Sequence, residues 1–111
     1  MTILKATIYD VIHGLDGRDR LSTSMTFDTY STLYGHSFIL INKADILCLT
    51  ALMKYTHART AENMCGKMVY IAVNKCDNIR AFGNIRGDEF VLPFGKGVKY
   101  VTRAEIEMAA E

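Results

Sequence analysis

The chain has a single proline, Pro93, and no run biased to a few residue types. It also lacks the low hydrophobicity and high net charge that keep chains disordered. Long apolar runs are missing too. Segments such as Ser37 to Ile41 and Met68 to Val73 fall far below the roughly 18 apolar residues a membrane helix needs, so no span is expected. The opening residues, Thr2 to Lys5, offer no basic flank, apolar block or small-residue cleavage site, and this predicts no signal peptide and a cytoplasmic protein. Cysteine is scarce. Cys48, Cys65 and Cys76 are an odd count without a CxxC pair, a pattern of free thiols in a reducing compartment and not of a disulfide framework.

What the chain does have is enough apolar material for one core: 111 residues, 50% of them hydrophobic, predict a single domain over 1–111. Its formal net charge is only +1, but the distribution is uneven. Residues 1–66 are balanced. Residues 67–103 carry seven basic and three acidic groups, an excess of +4, and residues 104–111 carry three glutamates. The basic excess is therefore local.

Alternation and β-branched content predict strands over Thr2 to His13 and Leu21 to Thr29, paired through the turn residues Gly14, Asp16 and Gly17. Gly35 is expected to break the chain before an interior strand over Ser37 to Ile41. Asn42 is a good N-cap for a helix from Lys43 to about His57, with Asp45 near the positive end of the dipole. Lys67 to Val73 reads as another strand, Ile79 to Phe82 as a weak one, and Glu89 to Leu92 with Val98 to Val101 as a hairpin around Gly95 and Gly97. Thr102 and Glu105 form a capping-box pattern ahead of a short C-terminal helix, whose last residues after Met108 are expected to fray. The fold class expected is α+β: a mainly antiparallel sheet of about five strands packed on one long helix.

Two tetrapeptides, Asn42-Lys43-Ala44-Asp45 and Asn74-Lys75-Cys76-Asp77, resemble the guanine-specificity motif of GTPases. The phosphate loop that such an enzyme requires is missing. Gly66-Lys67 and Gly95-Lys96 are followed by Met and Gly, with no hydroxyl to hold magnesium. Both tetrapeptides therefore read as caps and solvated turns. Cys48 lies on the apolar face of the helix and reads as a small core residue. His57, Cys65 and Cys76 match no common zinc spacing. His13 and His36 stand beside glycines at element ends, where solvated or locally bonded histidines are usual. The carboxylate pairs Asp16 with Asp19 and Asp88 with Glu89 lie in turns, and acid catalysis needs a pKa raised by burial. No catalytic group, metal or cofactor is expected.

The stretch Lys75, Arg80, Phe82, Arg86, Phe94, Lys96, Lys99 and Tyr100 interleaves basic and aromatic residues. That combination serves nucleic-acid binding, in which cations track phosphates and rings stack on bases. It serves protein interfaces equally, where arginine and aromatic residues dominate the energy. With Asp77, Asp88 and Glu89 interspersed, the reading preferred is a small non-enzymatic binding module, a regulator or inhibitor that occupies a surface of another protein. Arg80, Phe82, Arg86, Phe94, Lys96 and Lys99 are its expected partner-binding residues, with Tyr30, Tyr34 and His36 the place to look should Phe94→Ala and Arg86→Ala leave binding untouched. Nucleic-acid binding through residues 75–100 is the alternative. Around the helix, Lys43, Thr50, Lys54 and His57 fill one narrow arc and apolar residues fill most of the rest. A single sheet face covers one side, so the flank with Leu47, Ala51 and Tyr55 is expected to be buried in a homodimer.

Overall fold

The fourteen residues of β1 (Thr2–Leu15) form the spine of the molecule. A computed structural model describes residues 1–109; Ala110 and Glu111, on which most of the expected fraying falls, lie outside the described residues. The first half of β1, Thr2 to Thr7, pairs with β4 (Met68–Val73), and the second half, Thr7 to Leu15, pairs with β2 (Leu21–Asp28). The changeover coincides with a β-bulge between Ile8 and Asp10, which bends the strand and increases local twist. A seven-stranded antiparallel sheet results, in the order β3-β2-β1-β4-β5-β6-β7, with β3 at Leu33–Ile39, β5 at Ile79–Gly83, β6 at Glu89–Phe94 and β7 at Gly97–Thr102.

The sheet has seven strands, not about five: the strand expected over Ser37 to Ile41 runs from Leu33 to Ile39, and the weak one over Ile79 to Phe82 is a full member of the sheet. Gly35 does not break the chain: it sits inside β3 opposite Thr26, in extended backbone that any residue adopts. In β5 the register shifts between Ala72 and Val73 of its neighbour, which leaves Arg80 as an extra residue. A bulge moves the residues on either side of it out of phase, so the period-2 signal of a strand weakens.

Helix α1 (Lys43–Thr56) opens as expected: the Asn42 side chain accepts from the Asp45 amide at 3.2 Å. It closes at His57, which adopts a left-handed φ of 55°. The helix lies on the inner face of the sheet and touches β3 as well as β4 to β7, so the sheet curls around it from both sides. Ile8, Phe27, Phe38, Leu52, Ile71, Phe82 and Val91 close this core. Phe82 of β5 lies 5.7 Å from the Phe27 ring and 5.4 Å from the Phe38 ring, drawing the β2–β3 end over the middle of the sheet. A smaller core fills the outer face, where Ile106 of the short helix α2 (Arg103–Met108) covers Ala72, Ala81 and Phe90. The Thr102 and Glu105 capping box starts that helix.

Gly83 is fixed by this second core, because the Phe90 ring on the adjacent strand lies across it where a Cβ would stand. Gly83→Ala is expected to lower the free energy of unfolding by about 1 to 3 kcal/mol through overpacking. Urea denaturation measures it, and an unchanged midpoint would show that the ring moves aside freely.

Candidate functional site

The basic and aromatic segment does not form one patch. The β4–β5 and β6–β7 turns lie at one end of the sheet, and the β5–β6 turn with Arg86 lies at the other. The length of β5 separates Arg86 from Arg80 by roughly 15 to 20 Å, at about 3.3 Å per residue. Phe82 is only 2% exposed: it is a core residue whose ring backs a cleft at the first of these ends and is not the exposed anchor expected. Arg80, Phe94, Lys96 and Lys99 are exposed and share the first end. There Lys99 Nζ sits 4.7 Å from the centroid of the Phe94 ring, a cation–π contact that holds a 62% exposed phenylalanine in place.

At the same end of the sheet opens a cleft of about 550 Å³, lined among others by Arg80, Pro93, Phe82, His36, Asp45 and Cys48. The bulge in β5 is what presents Arg80 to it. The other polar side chains of the cleft are committed to the fold. Asp45 Oδ2 accepts from the Ile39 amide at 2.9 Å, and Asn74 also lines the cleft and accepts from the amides of Cys76 and Asn78 at 2.9 and 3.0 Å. Both NKxD tetrapeptides are thus a helix cap and a turn. Burial pushes the Cys48 thiol up to about 12, which keeps it protonated and far from a nucleophile's state. Arg80 brings a guanidinium to the cleft, opposite in charge to the Asp45 carboxylate that also lines it.

Of the two histidines expected to be solvated or locally bonded, His13 is exposed and bonded to its cross-strand neighbour, whereas His36 is packed against rings. His36 is half-buried, edge-on to Phe38 and Phe82 at 4.7 and 5.3 Å. Burial lowers its pKa below the ordinary 6.5, against a smaller opposing pull from Asp45. His13 bridges β2 and the loop after α1, with Nδ1 2.8 Å from Thr23 Oγ1 and Nε2 3.1 Å from Glu62 Oε1. The turn carboxylates also have structural work. Asp16 accepts from the amides of Arg18 and Arg20, and these bonds lower its pKa. Asp88 accepts from the Arg103 amide, and Glu89 accepts from the Tyr55 hydroxyl at 2.7 Å, fastening the end of α1 to β6.

That last bond bears on the flank expected to need a second chain. Ala51 and Tyr55 are buried within this chain, and Leu47 is half-buried. The expectation assumed a sheet meeting one side of the helix, whereas the curled sheet reaches α1 from both edges. The flank is covered without a partner. Sequence reasoning missed the cleft because β3, α1, β5 and β6 build it together, and no local signal announces that meeting. The chain is an α+β protein with one curled antiparallel sheet. No family model, curated protein or solved structure matches it.

Two outcomes follow from these environments. A thiol reagent added to the native protein is expected to label Cys65 and Cys76, which are exposed, and to reach Cys48 only on unfolding. Cys65→Ser and Cys76→Ser should leave stability unchanged, while Cys48→Ser costs about 1 to 3 kcal/mol by burying a hydroxyl. Labelling of all three thiols in the native state would contradict the packing of α1. For His36, the folded pKa lies below the unfolded value of about 6.5, so the unfolded chain binds more protons in between. Its contribution to stability is complete above pH 6.5 and is lost as the pH falls through the folded pKa. The melting temperature is expected to drop below pH 6.5, and His36→Phe to flatten part of that slope; equal slopes in both proteins would refute the assignment.

Proposed function

We propose that the protein is a small non-enzymatic binding module, a regulator or inhibitor that docks on another protein through the end of the sheet bearing Arg80, Phe94, Lys96 and Lys99. The observation that carries this reading is the exposed Phe94 ring, in contact with Lys99 and next in sequence to Pro93, which lines the cleft together with Arg80. A rigid aromatic next to a concave surface with an arginine is the arrangement that concentrates binding energy at interfaces. The partner chemistry that suits it is an acidic segment with an apolar side chain for the cleft. Its carboxylates would meet Arg80 and the lysines, and charge complementarity would speed the encounter. Arg86 belongs to the opposite end and plays no part.

Nucleic-acid binding finds less support. Its footprint loses Phe82 to the core and Arg86 to the far end, and Asp77 sits in the turn between Lys75 and Arg80. So few phosphate contacts bind weakly at physiological salt.

Affinity capture from the source cell with immobilised protein, quantified by mass spectrometry, tests the reading. A protein retained by the native chain and by Arg86→Ala should be lost at least about tenfold with Phe94→Ala and with Arg80→Glu, a change of about 1.4 kcal/mol. Retention should survive nuclease treatment. Material released by nuclease, with a steep loss on salt, would turn the assignment to nucleic acid. Partners indifferent to both substitutions would move the site elsewhere.

A further inference from the structure

We propose that the open edge of β3 is a strand-pairing site for a second copy of this chain, with Gly35 on the two-fold axis. Among the described residues the strand has β2 as its sole strand neighbour, and its residues, Leu33 to Ile39, include no lysine, proline or bulge. Those are the devices by which exposed edges are ordinarily guarded. The other edge, β7, carries Lys99 on its strand and is followed directly by α2.

The backbone directions along β3 decide which groups are open. The Leu40 amide points toward β2, donating to Leu21 at 3.0 Å, whereas the Ile39 amide points away and donates to Asp45 at 2.9 Å. Alternation then turns the amides and carbonyls of Leu33, Gly35 and Ser37 outward. None of these outward groups has a hydrogen-bond partner among the described residues. Asp45 closes the edge at Ile39, so the remaining open set is symmetric about Gly35. An antiparallel copy fits it in one register: Gly35 exchanges both backbone hydrogen bonds with Gly35 of the second copy, and Leu33 does so with Ser37 on either side.

A second copy suits this edge better than a foreign strand for three reasons. The open groups are self-complementary about one residue, as a two-fold interface requires. No charged side chain of β3 would face its own image. The same register also brings the β2–β3 turn, with its fully exposed Tyr30, toward the junction of β3 and α1 in the other copy, where Ile41 is 80% exposed. Two of the most exposed apolar side chains of the protein thereby approach each other at both ends of the pairing. The result is a continuous sheet across two chains, independent of the Phe94 surface.

Sedimentation equilibrium over roughly 10 to 500 µM, the range suited to a small interface, should show a species of about 25 kDa, twice the chain mass of 12.5 kDa. Gly35→Lys should return it to a 12.5 kDa monomer with an unchanged melting temperature, since nothing lies within 4 Å of a Cβ at that position in the single chain. Phe94→Ala should leave the dimer intact. With Cys65 and Cys76 replaced by Ser, Gly35→Cys should cross-link on oxidation, because a hydrogen-bonded antiparallel pair sets the Cα atoms about 5.5 Å apart. Thr26→Cys, one strand further from the axis, should not. A native chain that stays monomeric throughout overturns the proposal. So does a dimer that survives Gly35→Lys and fails to cross-link through Gly35→Cys.

Discussion

Phe82 is the residue on which the shape of this protein turns. Its ring reaches Phe27 and Phe38 across the curl of the sheet and meets the edge of His36. Burying such a side chain contributes about 1.5 to 3 kcal/mol, and aromatic contacts of this geometry add about 0.5 to 1.5 kcal/mol each. The energy matters less than the direction in which it acts. A sheet of seven antiparallel strands left to its own twist would be open, with β3 far from β5; the aromatic cluster brings them together and encloses α1.

Enclosure by the curled sheet sets the chemistry of everything near the helix. Cys48, on the cleft side of α1, stays a protonated thiol because burial, and then the negative charge of Asp45, push its pKa up to about 12. Tyr55 is pushed well above its usual range, first by burial and then by the hydrogen bond to Glu89. His36 is pulled down by the same desolvation. Cys48, Tyr55 and His36 are thus absorbed by packing. Exposed arginine and aromatic side chains are left to the ends of strands, where Arg80 sits at a bulge and Phe94 at a hairpin.

Much of the architecture was legible along the chain because its signals are local. Asn42 and Thr102 cap helices through their own side chains, and alternation in β2 reports a half-buried strand whichever neighbour it has. Legibility failed where the geometry departs from a regular period. The bulge at Arg80 shifts the pattern of β5, and Gly35 looks like a break although its neighbours hold it in the ladder. The candidate surface was half legible. Arg80, Phe94, Lys96 and Lys99 do share one end of the sheet, but Phe82 and Arg86 were grouped with them on sequence distance alone, which does not distinguish the two ends of a five-residue strand.

By itself the sequence determined the class of the fold, the caps of both helices, the positions of most strands and the core identity of Cys48, since each depends on interactions within a few residues. Tertiary structure decided which side chains are available to other molecules. Burial of Ala51, Tyr55 and Phe82 and the opening of the cleft depend on how far the sheet curls. That curl is the joint result of twist, two bulges and an aromatic cluster drawn from three strands, and contacts between residues so distant in the chain leave no periodic trace in it.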